Sequence, residues 1–334
     1  MKQPQISIIV PVYNAENTIS RTLDSIYALS MSESKYEIII VDDCSNDRTA
    51  DIVLSYQKTH SNICLLKQPR NMRQGAARNR GIYEAKGDWI LFVDADDCLE
   101  SGICDIIEST VGSNSDICMF DCCVVNTAGE RNIISLFEES SEVISGKNLL
   151  EKCTSDRINE RGAPWGYLFR TSYIKNTGIM FRENRIYEDA DIIFEWILKC
   201  ERINVINKVG YSYIMTEGSS TLANKTPKTL SDAIYLEYRK FLLIAQYKDK
   251  CPLFYERMFR IIRHCVEENL SILIAKGDIS YREFINNLDR DCVDVLLTIP
   301  YNKRKYRIIL KNEMIAPFLI EVLHMYYIVR KYLK

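Results

Sequence analysis

The sequence predicts an α/β protein: a mostly parallel sheet flanked by helices, with a helical region after it. Three observations carry this. Over the first 120 residues, short apolar runs rich in β-branched or aromatic residues alternate with helix-patterned stretches. The runs are close to continuously apolar, as in strands covered on both faces. The residues after three of them are polar or turn-forming, and parallel sheets bind ligands at the carboxyl ends of their strands.

The predicted strands are Ile6–Val10, Glu37–Val41, Ile63–Leu66, Trp89–Val93 and Asp116–Phe120. Between the first two, Thr18–Leu29 places Ile19, Leu23, Ile26 and Tyr27 on one helical face. A second helix is expected to begin near Ser45–Thr49, where Ser, Asn and Asp suit an N-cap, and a third to cover Gly75–Ala85. Strand–helix alternation of this kind implies right-handed crossovers. After about residue 130 the pattern loosens. Gly162–Gly166 reads as a loop followed by a short run at Tyr167–Phe169, and Tyr187–Asp191 opens a helix with Ile192, Ile193, Trp196 and Ile197 on its apolar face. Val205–Val209 and Tyr211–Met215 read as two short strands, and Gly218–Thr221 as a turn. From about Pro227 the composition is helical, so the expected division is residues 1–224 and 225–334.

Composition excludes several classes. A formal net charge of −2 offers no global attraction for nucleic acid. Twelve cysteines without a paired C-x-x-C set read as reduced, mostly buried thiols rather than metal ligands or a disulfide scaffold. The apolar run after Met1–Gln5 is too short for a signal-peptide core, and no segment reaches the ~20 apolar residues of a membrane span. A cytoplasmic protein is expected. Ile315–Val329, with Glu321 and His324 inside it and basic residues at both ends, has two readings. It suits a helix lying on an anionic membrane surface, or one packed on the body or on a second subunit.

The three polar strand ends are Pro11-Val12-Tyr13-Asn14, Asp42-Asp43-Cys44-Ser45 and Asp94-Ala95-Asp96-Asp97. A cap needs one carboxylate, so this many aspartates point to a site. Asp94 and Asp96 are hard oxygen ligands suited to Mg²⁺ or Mn²⁺, with diphosphate oxygens completing the shell. Alone, the D-x-D pair is more often a solvated acidic turn than a metal site; its place at a strand end beside two other polar strand ends is what favours the metal. Asp42 and Asp43 can accept hydrogen bonds from a base or ribose, or cap the following helix. Asn71, Arg73, Gln74, Gly75, Arg78 and Asn79 surround the start of the third helix, where the helix N-terminus favours anions. Arg78 there can bridge a diphosphate or pair with an aspartate.

Four of these stretches resemble the successive motifs of family 2 glycosyltransferases. They are Ile9–Asn14, Val41–Asp47, Gly75–Gly81 and Val93–Asp97, in that family's order and spacing, with weaker likeness at Pro164–Gly166 and Glu188-Asp189. The resemblance implies a GT-A fold, a nucleotide-sugar donor (UDP-sugars favoured) and inversion at the anomeric carbon. It places Pro11, Tyr13 and Asp43 at the nucleobase with Asp42 beside them, and Asn71 and Arg78 near the nucleotide. Asp94 falls at the ribose and Asp96 at a Mn²⁺ or Mg²⁺ ion. Asp189 is the implied catalytic base, and Glu188 its competitor. The implied acceptor is a glycan or lipid-linked glycan of a surface polysaccharide, reached at the cytoplasmic face of a membrane, with a homodimer through the C-terminal helices as a further expectation. Where many relatives carry Arg or His before a small-residue turn, this chain has Met215-Thr216-Glu217. Two other classes stand beside this one: a nucleotidyltransferase, which usually carries a Gly-rich loop after the first strand, and an inactive scaffold of a polysaccharide assembly complex. A Rossmann dehydrogenase is excluded, because no G-x-G-x-x-G follows that strand.

Overall fold

Ile6–Val12 forms the central strand β1 of the computed structural model, and all seven of its residues are buried. The structure describes residues 3–135, 141–152, 162–183 and 187–216, together with residues 236, 239–240, 242–243, 245–247, 249–250 and 252–255. The chain divides into two compact units, Met1–Leu222 and Ala223–Lys334. All elements named below belong to the first; the second contributes short helical segments such as residues 252–255. The expected turn at Gly218–Thr221 and the helix at Ile315–Val329 lie outside the described residues.

In chain order the first unit contains β1, α1 (Ile19–Tyr27), a 3₁₀ turn at Glu33–Lys35, β2 (Tyr36–Asp42), α2 (Thr49–Gln57) and β3 (Ile63–Lys67). Then come α3 (Arg73–Glu84), β4 (Trp89–Phe92), β5 (Cys98–Leu99), α4 (Ile103–Val111), β6 (Ile117–Val125), β7 (Arg131–Ile134) and β8 (Ser141–Ile144). It continues with α5 (Gly146–Lys152), β9 (Tyr167–Arg170), α6 (Thr171–Thr177), α7 (Ala190–Lys199) and β10 (Ile203–Ile214). The strands make one sheet in the order β3-β2-β1-β4-β9-β6-β10-β5, with β7 on β6 and β8 on β10.

The continuous apolar runs have the predicted cause. Ile6, Ile8, Val10 and Val12 join a core cluster with Ile19, Leu23 and Ile26 of α1 on one face of the sheet. Ile9 faces the opposite way, onto α3, where a Cβ on Gly81 would lie 2.3 Å from its Cγ2. Strands buried on both faces need apolar residues at every position, and each buried Ile or Val stabilises by roughly 1.5–3 kcal/mol. Pro11 is tolerated in this central strand by position. The Ile9 carbonyl accepts the Val93 N–H, so Pro11 turns the same way two residues on, where β4 has ended.

β1, β2, β3 and β4 pair in parallel, and β6 pairs in parallel with β10. Between these blocks stands β9, antiparallel to both β4 and β6. β6 therefore runs with β4 but does not touch it, which the apolar run at Asp116–Phe120 does not reveal. The two short strands expected at Val205–Val209 and Tyr211–Met215 are one strand, β10, with register shifts at Ile206/Val209 and Val209/Tyr211. Gly210 marks a close approach, not a break: a Cβ there would come within 2.8 Å of Ile106 and 2.9 Å of Phe120. No helix among the described residues is long and apolar enough to cross a membrane. None of the eight described cysteines is in a disulfide; Cys118, Cys122, Cys123 and Cys200 are buried, while Cys44, Cys64, Cys98 and Cys104 are half-buried.

Candidate active site

The loops after β1 and β2 are tied to one another. Asn14 N–H donates to Ser45 Oγ (2.9 Å), and Asn14 Oδ1 accepts the Asn46 N–H (2.9 Å). Ala15 N–H donates to Thr49 Oγ1 and Glu16 N–H to Asp47 Oδ2. Asn14 and Cys44 adopt the left-handed conformation (φ 48° and 68°), as do Arg73 and Tyr187 (69° and 60°). Such backbone costs of order 1 kcal/mol or more for non-glycine residues and clusters at functional loops. Tyr13 stands 46% exposed beside this pair of loops, a flat aromatic face open to a ligand.

Asp42 ends β2 and Asp43 follows it; both are buried, but they do different things. Asp42 Oδ1 accepts the Ser45 N–H and shapes the turn. Asp43 reaches across to α3: Oδ1 accepts Met72 N–H (2.7 Å) and Gln68 Nε2 (3.0 Å), and Oδ2 accepts Arg73 N–H (2.7 Å). Burial raises its pKa and those two backbone donors oppose the rise. The start of α3 thus already holds an anion, the Asp43 carboxylate. The capping option for Asp43 operates on α3 rather than on the helix that follows it in sequence. Asn71 is exposed, and its Oδ1 also accepts the Arg73 N–H (3.2 Å).

The acidic loop 94–97 is held through nearly every peptide group. Arg21 donates to the Asp96 carbonyl (2.6 Å), and the Thr22 hydroxyl lies within reach of the Ala95 and Asp97 carbonyls (2.9 and 2.8 Å). Asp97 N–H closes the turn on the Asp94 carbonyl. Asp97, left without a role by its pattern, is structural. It is fully buried, accepts the Tyr211 hydroxyl (2.5 Å) and the Ile214 N–H (2.8 Å), and burial holds it well above the usual carboxylate range. Asp96 is half-buried, and its carboxylate carries no side-chain hydrogen bond among the described residues. Burial and the neighbouring Asp94 raise its pKa, so it is an anion short of compensation.

Arg78 is the hub. Its side chain is 1% exposed; Nη1 donates to Glu188 Oε1 (2.6 Å) and Nη2 to Asp94 Oδ1 (2.8 Å), with Asp189 Oδ2 at 3.8 Å from Nη1. Among the described residues its Nε has no partner. Of its two expected roles, pairing with aspartate is the one the geometry shows. Gly75 and Asn79 of the same motif serve docking. A Cβ on Gly75 would sit 2.1 Å from the Arg182 carbonyl and 2.9 Å from Glu188 Cγ. Asn79 reads the Phe181 backbone in both directions, Nδ2 donating to its carbonyl (2.9 Å) and Oδ1 accepting its N–H (2.8 Å).

Glu188 and Asp189 are separated by this hub. Glu188 is buried in its Arg78 pair. Asp189 occupies the N-cap position of α7, yet its side chain makes no capping bond, so helix stabilisation does not consume it. It keeps 19% of its side-chain surface open. Burial first, then Glu188, push its pKa up to about 7, against the pull of Arg78. Asp191 faces elsewhere, buried against Arg182 (3.0 Å).

The structure therefore joins Arg78, Asp94, Glu188 and Asp189, with Asp96 beside Asp94. Pro11, Tyr13, Asp42, Asp43 and Asn71 form a second group at the ends of β1 and β2 and the start of α3. No hydrogen bond or ion pair among the described residues links the two groups. Sequence patterns missed Arg21, Thr22 and the role of Tyr211, and gave Asn79 and Asp97, both inside recognised stretches, no task of their own. Asp97 and Tyr211 lie 114 residues apart, and no local spacing announces such a pair. Among the described residues, no group of three or more His, Cys, Asp or Glu could hold a metal ion by itself.

Residues 7–126 match the family model described as glycosyl transferase family 2, which spans β1 to the end of β6. This domain belongs to glycosyl transferase family 2. Its sequence relatives include a poly(ribitol-phosphate) beta-glucosyltransferase of Bacillus spizizenii, 32% identical over 63% of this chain and 32% of the relative. A cholesterol galactosyltransferase of Borreliella burgdorferi is 26% identical over 72% of each chain. The chain spans about a third of the length of the poly(ribitol-phosphate) transferases it matches. The family 2 domain and the strands around it share the GT-A fold with S. aureus TarS 1–349, solved in complex with UDP-GlcNAc. That likeness covers 97% of this chain and 91% of the other, with a TM-score of 0.70 at 21% identity. A mannosyltransferase from Pyrobaculum calidifontis, solved with GDP-Man and Mn²⁺, aligns at a TM-score of 0.55 and 14% identity.

Proposed function

We propose that the chain is an inverting glycosyltransferase that moves a sugar from a nucleotide-sugar donor, UDP-sugars favoured, to a hydroxyl of a glycan or lipid-linked glycan in surface polysaccharide biosynthesis. The observation that carries this is Asp189. It is a carboxyl at the head of α7 that neither caps the helix nor holds the short bond to Arg78, and it stays partly open with its pKa raised to about 7. A group poised there takes a proton at neutral pH.

In this reading Asp189 accepts the proton of the acceptor hydroxyl while the oxygen bonds to the anomeric carbon. The bond from that carbon to the diphosphate breaks on the opposite face, and the proton leaves Asp189 to solvent. Glu188, locked on Arg78 at 2.6 Å, keeps the guanidinium in place and is the weaker candidate for base. Tyr13, Asp42, Asp43 and Asn71 border the nucleotide, and Asp94 the ribose. Asp96 fits a Mn²⁺ or Mg²⁺ ion: a hard carboxylate, raised in pKa by burial and Asp94 and without a side-chain hydrogen bond among the described residues, of the kind that binds such ions together with substrate phosphates. When bound, the ion would neutralise charge on the departing nucleoside diphosphate. Residues 225–334 are assigned to acceptor, membrane-surface or subunit contacts.

The test is a donor-hydrolysis and transfer screen with UDP- and GDP-sugars plus Mn²⁺. Chelator or Asp96→Ala should remove turnover, and Asp189→Asn should lower transfer at least a hundredfold while leaving donor binding near normal. Full turnover in Asp96→Ala would sink the metal role, and retained transfer in Asp189→Asn would move the base to Glu188.

A further inference from the structure

Loop 94–97 is fixed from two sides. From α1 come Arg21 and Thr22, both on carbonyls. From the far end of the sheet comes one hydroxyl. Tyr211, on β10, is fully buried, and its Oη accepts the Asp94 N–H (3.1 Å) while donating to Asp97 Oδ2 (2.5 Å). A buried phenol must spend its hydrogen-bonding capacity or cost stability. This one spends it on the first and last residues of the acidic loop. Its ring is set in turn by Trp165, stacked on it with centroids 5.4 Å apart and planes 6° from parallel. Trp165 also stacks on Tyr213 (5.5 Å, 11°). The neighbouring Ile214 N–H takes the other oxygen of Asp97. Asp94 is thereby held at both ends, its amide by Tyr211 and its carboxylate by Arg78.

We propose that Tyr211 is a positioning residue for the acidic loop, its hydroxyl setting the separation and aim of Asp94 and Asp96 toward a nucleoside diphosphate and its cation. It touches no reacting atom; it acts through the Asp94 amide and Asp97. Trp165 holds the Tyr211 ring so that this hydroxyl stays in register with the loop. The proposal rests on the functional reading above.

Tyr211→Phe keeps ring, stack and volume and deletes the one oxygen. Calorimetry of UDP binding, with and without Mn²⁺, is the readout, together with a thermal melt. The expected result is about tenfold weaker Mn²⁺-dependent UDP binding, unchanged UDP binding in chelator and unchanged stoichiometry, the size following from two buried polar groups left unpaired. Ser212→Ala, one residue along β10 and bonded to Glu100 outside the loop, should bind as wild type does. A merely structural Tyr211 would lower stoichiometry or melting temperature at an unchanged dissociation constant, and that overturns the proposal. Should Tyr211→Phe not fold, Asp97→Asn must show the same Mn²⁺-specific weakening, and wild-type affinity there equally overturns it. Wild-type protein that binds neither UDP nor GDP with Mn²⁺ refutes the nucleotide-sugar reading and this proposal with it.

Discussion

Arg78 faces three carboxylates with one charge, and the arithmetic of that cluster sets how Asp189 behaves. Two of the carboxylates take its short bonds; the third, at 3.8 Å, is left with little compensation for burial. A pKa near 7 in the folded chain against 3.8 for the free side chain has two consequences of opposite sign. For chemistry, the base is competent only when deprotonated, so kcat/KM should rise with pH and level off above about 7. For stability, the folded chain binds more protons than the unfolded one between about pH 4 and 7, so folding weakens as pH climbs through that window. Asp189→Asn should therefore melt a few degrees higher than wild type at pH 8, with the gap narrowing as pH falls and closing at about pH 4. Melting curves across that range decide it; an Asn variant less stable than wild type at pH 8 contradicts the assignment.

At the scale of elements, α3 is the part whose motif looked chemical and proved largely architectural. Gly75 and Asn79 dock it on Phe181, Arg182 and Glu188, Gly81 seats it on β1, and Arg78 carries its charge to Asp94 and Glu188. Gly75→Ala places a Cβ 2.1 Å from a backbone carbonyl, which a flexible side chain cannot relieve. It should cost about 1–3 kcal/mol and lower transfer by more than tenfold, measured by denaturant melts and initial rates. A variant with wild-type stability and rate would show that the segment bearing Glu188 yields freely. How far such elements can be read beforehand has a physical limit. Continuous apolar runs report burial on both faces, and so β1, β2 and β4 with their polar ends were legible, while β3, at the sheet edge, has the apolar run but only Ile63 buried. Strand order past β4 was not legible, because β9 enters between β4 and β6 from far along the chain, in the antiparallel register Trp89↔Arg170 to Leu91↔Leu168, and burial patterns say nothing about which neighbour buries a strand. The same limit hid Tyr211: its run reads as a strand, but its hydroxyl answers to loop 94–97.

For the whole molecule, the proposed reading makes the loops after β1, β2 and β4 of the family 2 domain its donor site. A ligand that binds only the folded chain stabilises it by mass action, by about 2.7 kcal/mol at a hundred times its dissociation constant. UDP with Mn²⁺ should raise the melting temperature by a few degrees in proportion to the logarithm of concentration. UDP with chelator should raise it far less. Equal shifts with and without the ion would detach the cation from nucleotide binding and leave Asp96 without its proposed work.

The ties between the loops after β1 and β2 bear on how such a site can be re-engineered. Asn14 with Ser45 and Asn46, Ala15 with Thr49, and Glu16 with Asp47 are reciprocal bonds between two stretches some thirty residues apart. Grafting either loop alone from a relative would strand the partners of the other and release two left-handed residues, Asn14 and Cys44, from the contacts that hold them. Chimeras that alter donor preference are thus expected to succeed only when both loops travel together as one cassette.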